Sequence, residues 1–551
     1  MRAGLIARPL LLIAIPFALS SCGLAPTRPV PAAPAVSSAP TSAPTSDAAI
    51  THLLSRITFG PRPGDLERVR SIGGPAYLEQ QLHPARIDYA PAAEVVGALP
   101  TLSLSIAELL QQYPRPDPAL RDRARAGEMS QQEPATMTPP ERRPARIVSE
   151  LAAAKLARAV MSDRQLQEVM VDFWFNHFNV SADKGVVRWY VTAYERDAIR
   201  PHALATFRDL VRATAAHPAM LWYLDNWAST RADFVIPQGP NQGRTAGLNE
   251  NYARELMELH TLGVDGGYTQ GDVREVARAF TGWTIDRPRE QGRFTFRPAM
   301  HDIGPKTVLG HRLPAGGGQA DGERVIDILT RHPSTARFIA TKLTRRFVAD
   351  DPPPALVARV AAVYQRTDGD IRAMLRTILT APEFYAASAR RAKIKKPFEF
   401  VASSVRALGG TVDTRGAEAL ARAVGTIGER LYQAEPPTGY PDRAEPWINP
   451  GALLARLNFA LHLSGNRLDG VRVDPVALVR GADRTRPDDV LDHLLGTVLL
   501  GQATAGTRAV LAAQLEDARV VRKTADDRGP ADTDVGLLTA LVLGSPEFQR
   551  R

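Results

Sequence analysis

The residues most able to do chemistry sit in one short stretch, Asn249-Glu250-Asn251-Tyr252-Ala253-Arg254-Glu255-Leu256-Met257-Glu258-Leu259-His260-Thr261-Leu262-Gly263. It holds three carboxylates, an arginine and a histidine. On a helix of 3.6 residues per turn, Glu250, Asn251, Arg254, Glu255 and Glu258 fall within a sector of roughly 140°. Leu256, Leu259, Tyr252, Ala253, Met257 and His260 fill most of the opposite side. Glu250, Arg254 and Glu258 stand at i, i+4 and i+8, the spacing of a salt-bridge ladder on a solvated face. The same residues suit a site. Arg254 can hold a carboxylate or anion by two bonds. Glu255 or Glu258 can act as a base or a ligand. His260, on the apolar side, needs a buried partner, and a carboxylate there would raise its pKa.

A divalent metal would want histidines and carboxylates converging from several elements. The candidates are His260, His301 and Asp302, joined by Glu255 and Glu258. The helix has no His-Glu-x-x-His or Glu-x-x-His spacing. His177 is read as a core histidine in preference to a ligand, and His301-Asp302 as a loop pair that can also cap a turn. No Gly-x-Ser-x-Gly elbow is present, and Gly316-Gly317-Gly318 lacks the Gly-Lys-Ser of a phosphate loop. Trp174, Trp189, Trp222, Trp227 and Trp283 could line a sugar cleft, although such residues usually build a core.

The elements that must position these groups are helical. In 551 residues, 44% hydrophobic and 23% charged, Ala, Leu, Arg and Glu dominate and alternating strands are scarce. The fold class expected is all-α, a mainly α-helical globular body with a small β-hairpin excursion near 283–313. The formal net charge is +9. It is scattered, and its longest cluster, Arg390-Arg391-Ala392-Lys393-Ile394-Lys395-Lys396, reads as a solvated face, so no nucleic-acid partner is expected. Helical periods mark 147–160, 166–178 and 335–348. Pro114 to Arg146 reads as a polar loop without a period, and Asp225 to Leu248 as a long loop feeding the Asn249 stretch. Pro-Glu-Phe follows a leucine-rich helix twice, at Pro382–Phe384 and Pro546–Phe548.

The single cysteine, Cys22, sets the compartment. Arg2 and Arg8 precede a short apolar run, which ends in Leu19-Ser20-Ser21-Cys22-Gly23. That pattern is a secretory signal, too short for a comfortable membrane span. Its end resembles the bacterial lipobox, which implies a lipidated Cys22, and Gly23 in place of Asp favours the outer membrane, facing the periplasm. The expected organisation is a lipoprotein signal peptide at 1–22, a Pro/Ala/Ser/Thr-rich tether at 23–46, a main helical domain at 47–408 and a C-terminal helical region at 409–551 packing on it.

Several stretches together resemble one bacterial family, that catalogued as domain of unknown function 1800. They are Leu53–Gly60, Phe173-Trp174-Phe175-Asn176-His177-Phe178, His217–Leu221, Asn249–Gly263, Thr281-Gly282-Trp283, His301-Asp302 and Phe347-Val348-Ala349-Asp350. The first Pro-Glu-Phe completes the set. The resemblance implies an exported, mostly helical protein. It also hints at a sulfatase-like envelope protein as partner, because many relatives are encoded beside one. It implies no reaction. Two functions follow as expectations: a cell-envelope enzyme, as a metal-assisted hydrolase using Glu255, Glu258 and Arg254 with a metal on His260, His301 and Asp302; or a non-enzymatic envelope lipoprotein that binds or assembles a partner protein or polymer.

Overall fold

A computed structural model describes residues 46–115, 118–128, 130, 138–237, 241–517, 520–522 and 532–551. The signal peptide, Cys22 and the tether before Ser46 lie outside the described residues. Among the described residues no helix is long and apolar enough to cross a membrane.

The fold is mainly α, with a few short antiparallel strand pairs. The helix Ala145–Met161 is buried on nearly every side. Its run of alanines leaves room for close neighbours, and the helices Thr414–Ile427 and Pro397–Ala407 pack against it. The helix Gln165–His177 follows and places Trp174, Phe175 and Phe178 in the same core. Further along, Pro333–Phe347 packs on Pro354–Arg366, and Pro450–Ser464 on Val535–Leu543. Both Pro-Glu-Phe exits bury their phenylalanine, Phe384 against His52 and Phe548 against Phe400.

The hairpin excursion forms as expected. Trp283–Asp286 pairs with Arg293–Phe296, and Lys306–Val308 with His311–Leu313. Capping chemistry also follows the sequence. Thr269 and Asp272 make a reciprocal capping box, and His217 Nδ1 accepts the Ala219 N–H to start its helix. Pro114 to Arg146 departs from expectation, because Pro118–Arg125 is helical. Arg and Ala are strong helix formers, and their propensity outweighs the missing hydrophobic period. Residues 116–117, 129 and 131–137 of that stretch lie outside the described residues.

The Asn249 stretch is not one regular helix. An α-turn at Asn251–Glu255 runs into a π-helix at Leu256–Thr261, where Leu262 N–H reaches back five residues to Met257 C=O. The Thr261 hydroxyl takes the Leu256 carbonyl. A second π-turn spans Tyr194–Ile199 and is closed by Arg200 N–H on Glu195 C=O. Such turns are rare and often adjoin functional sites.

Candidate functional site

The charged face of the Asn249 stretch is the ladder its spacing predicts. Arg254 lies 3.4 Å from Glu250 and 3.5 Å from Glu258. Gln270 joins by donating to Glu250 at 2.6 Å. All of these groups keep contact with solvent, Arg254 being 37% exposed. Glu255 is half-buried, and its carboxyl is raised by burial and then by Glu258.

His260 corrects the expectation of a carboxylate partner. It is buried against Phe178 and His177, with ring centroids 5.1 and 6.1 Å away. Its Nε2 has no hydrogen-bond partner among the described residues. Burial, and then Lys342, push its pKa down to about 3. The wheel puts His260 on the apolar side and the structure keeps it there, but the neighbours that reach it are aromatic rings and no carboxylate.

His301 and Asp302 belong to the hairpin region and are already engaged. Asp302 holds Arg278 by two bonds of 2.8 and 3.0 Å, and it caps its own turn through Gly304 N–H. His301 is buried between the Thr281 carbonyl, 2.8 Å from Nδ1, and Asp321 Oδ2, 3.3 Å from Nε2. Lys306 completes this cluster by donating to Asp321 at 2.9 Å. His260, His301 and Asp302 therefore do not converge. Among the described residues no three His, Cys, Asp or Glu side chains group as a metal site would require. The tryptophan cleft is not assembled either. Trp174, Trp189 and Trp283 are buried, Trp174 and Trp189 donating to the carbonyls of Ala203 and Tyr113. Trp222 and Trp227 stack on each other at 4.5 Å.

The groups that do converge lie on the far side of His260. A pocket of about 230 Å³ opens between the helix Gln165–His177, the helix Pro333–Phe347 and the loop 438–443. His177, Lys342, Arg345, Arg346, Lys396 and Asp442 line it. Glu255, Glu258 and Arg254 do not. Two asparagines of the Phe173–Asn179 stretch pin the loop. Asn176 Nδ2 donates to Tyr440 C=O at 2.8 Å, and its Oδ1 accepts Tyr440 N–H at 2.7 Å. Asn179 Nδ2 donates to the carbonyls of Ala434 and Pro436. Gly439 lies so close to Asn176 that a Cβ there would meet its carbonyl oxygen at 2.4 Å, and its φ of +67° suits glycine. Trp447 braces the loop from outside by donating to Pro441 C=O.

His177 is the hinge between the pocket and the Asn249 stretch. Its Nε2 lies 3.1 Å from the His260 carbonyl. A carbonyl only accepts, so Nε2 carries the proton. That carbonyl stands in the last turn before Gly263, where the helix offers it no intrahelical donor. Nδ1 then presents a lone pair, and Lys342 Nζ donates to it at 2.8 Å. Burial, reinforced by Lys342, holds the imidazole well below the usual histidine range. Burial also pushes the Lys342 ammonium down to about 8, against the attraction of Asp442. A neutral histidine thus accepts a bond from a lysine that can give up its proton close to neutral pH.

Behind the pocket the lysines of the Arg390–Lys396 cluster prove to be interior, while Arg390 is exposed and Arg391 half-buried, which corrects the solvated-face reading for the lysines. Lys393, Lys395 and Lys396 are 2%, 7% and 6% exposed. Lys396 lies 3.4 Å from Asp172 and 3.5 Å from Glu429, and Asp172 also holds Lys155 at 2.7 Å. Lys393 pairs with Asp350 and Asp442. Glu399 takes Arg346 and Arg551. Lys395 lies over the Phe548 ring at 3.6 Å, and burial pushes it down to about 7. Charges enter a core when each finds an opposite partner, and here carboxylates from distant parts of the chain supply them. Composition alone shows the lysines and not the carboxylates that fold onto them. Arg345 and Arg346 fall in the last turn of the Pro333–Phe347 helix with Lys342 one turn before them, and that run is the one local signal of the pocket.

A family model described as "Protein of unknown function (DUF1800)" matches residues 52–550, and the chain belongs to that family. No curated protein and no solved structure matches it.

Proposed function

We propose that this protein is an exported envelope lipoprotein that performs acid–base chemistry on a ligand held in the Lys342 pocket. One observation carries the reading: Lys342 Nζ donates to His177 Nδ1 at 2.8 Å inside a pocket open to a small molecule. A catalytic acid or base works best when its pKa lies near the working pH, and burial brings Lys342 to about 8. His177, held neutral with its tautomer fixed by the His260 carbonyl, accepts the Lys342 bond and orients the ammonium, and the proton that Lys342 releases goes to the bound ligand. The Asn249 stretch supplies that carbonyl, so it positions the site and does not line it. His260, His301 and Asp302 do not serve as a ligand set in this reading, because they lie in separate clusters.

The test is the titration of Lys342. The rate of its acylation, read by peptide mass spectrometry against pH, should rise to half its maximum near pH 8. A rise near the ordinary lysine range would overturn the reading. Export and anchoring rest on Leu19-Ser20-Ser21-Cys22. Cys22→Ala should abolish acylation and release the protein from membranes, and unchanged membrane association would refute the anchor.

The second reading, a lipoprotein that assembles with a partner such as a sulfatase-like envelope protein, has its own support. Ile448, Leu453 and Leu454 are large apolar side chains 45–61% exposed close together in sequence. Leu454→Glu would disrupt that contact and leave the Lys342 titration unchanged.

A further inference from the structure

The cations around the pocket differ in how they are neutralised. Arg346 has Glu399 at ion-pair distance, Lys396 has Asp172 and Glu429, and Lys393 has Asp350 and Asp442. Arg443, at the mouth, has Asp351 at 3.1 Å. Two cations stand apart. Lys342 bonds only to the uncharged His177, with the Phe338 ring beside it. Arg345 gives its Nε to the Asp350 carbonyl at 2.9 Å, which leaves its terminal nitrogens for another acceptor. Neither makes an ion pair with a carboxylate of the described residues. Both leave the same helix one turn apart, and both line the pocket.

Lys342 and Arg345 repel each other across a partly desolvated pocket, and Asp442, which attracts Lys342, is itself paired with Lys393. A ligand bearing two negative charges removes that repulsion, and a singly charged one removes half of it. The geometry agrees. A planar carboxylate is best held by the Nε edge of an arginine fork, and here Nε is already taken. A lysine acts as a point charge and suits a tetrahedral phosphate, which carries nearly two charges at neutral pH. The pocket of about 230 Å³ holds such a group with a small organic substituent.

We infer that Lys342 and Arg345 form a seat for a phosphate dianion, either free phosphate or a phosphate monoester. This rests on the acid–base reading of the same pocket and names its ligand. Lys342 is thereby placed to contact a phosphoryl oxygen while His177 holds its other side.

Calorimetric titration of the full chain in detergent at pH 7 tests it, with inorganic phosphate, phenyl phosphate and benzoate as probes. Expected is saturable phosphate binding weakened at least tenfold in Lys342→Met and in Arg345→Met. Arg345→Lys should recover part of it, and Arg254→Ala none of the loss. Unchanged thermal unfolding of each variant keeps a failure to fold from imitating a loss of binding. Phenyl phosphate tighter than phosphate identifies a monoester, and equal binding identifies free phosphate; both support the seat. Benzoate binding as tightly as phosphate overturns it, as does phosphate binding that ignores both substitutions or is absent. If Lys342 titrates near pH 8 and phosphate does not bind, this inference fails and the acid–base reading stands. If phosphate binds and Lys342 titrates as an ordinary lysine, the reverse holds.

Discussion

Gly439→Ala is the substitution whose cost the structure fixes most closely. Two terms add. The first is backbone: φ at Gly439 is +67°, and an L-residue in the left-handed region costs about 1–2 kcal/mol. The second is contact. The new Cβ would stand 2.4 Å from the Asn176 carbonyl oxygen and 2.6 Å from its Oδ1. Neither atom can yield cheaply, because Asn176 stands in the last turn of the helix Gln165–His177 and its Oδ1 holds Tyr440 N–H. Overpacking of this kind costs about 1–3 kcal/mol more. The total is about 2–5 kcal/mol. Gly64 supplies the control, since its φ is +87° and a Cβ there would meet open space. Gly64→Ala should lose only the backbone term. Urea unfolding of both variants at pH 7 separates the two, and the Asn176 contact is the difference between them. Equal losses within ~0.5 kcal/mol, a usual uncertainty for independent sites, would refute the clamp between Asn176 and the 438–443 loop. With the clamp displaced, the pocket should also lose its ligand.

Three further outcomes follow from the same structure. The folded chain protonates His260 only near pH 3, whereas the unfolded chain does so near 6.5. The unfolded state therefore holds the extra proton in that window, and stability falls as pH drops from 6.5 towards 3. His260→Phe should cut the stability lost between pH 7 and 4.5 by about 2 kcal/mol, and an acid loss equal to the parent's would contradict the buried neutral imidazole. Arg254→Ala removes two half-exposed pairs and should cost under about 1 kcal/mol in urea unfolding; a loss several times larger would mean that the ladder has another role. Asp321→Asn leaves Lys306 buried without its carboxylate and should cost about 3–5 kcal/mol, while a thermal midpoint close to the parent's would show the Lys306–Asp321–His301 cluster to be dispensable.

What could be read in advance divides by range. The Glu250–Arg254–Glu258 ladder depends on i, i+4 spacing, and the Thr269 cap and the Trp283–Phe296 hairpin on a few adjacent residues, so the sequence shows all three. The mainly helical class follows from composition for the same reason. The pocket depends on Asn176, Lys342, Lys396 and Tyr440, which lie far apart in the chain and share no period. The buried state of Lys393, Lys395 and Lys396 depends on Asp172, Asp350, Asp442 and the Phe548 ring, and a local charge run looks the same whether or not such partners arrive. His177 was visible as a histidine on an aromatic face. Its importance was not, because that comes from a lysine 165 positions later.

The π-turn at Leu256–Thr261 gives this chain an unusual sensitivity to length. It holds one residue more than an α-turn would, so deleting a single residue there would restore a regular helix. The flanking chain would keep its phase, and the carbonyls inside the turn, that of His260 among them, would be re-aimed. Arg254 would stay with Glu250, while the His260 carbonyl would turn away from His177 and free the imidazole to exchange its tautomer. A one-residue gap, and no change of side chain, would thus be enough to uncouple the best-marked stretch of the sequence from the pocket it serves. In alignments of the family, variation in loop-like positions should be tolerated around Asp225–Leu248, whereas the count of residues between Glu255 and Gly263 should be held fixed.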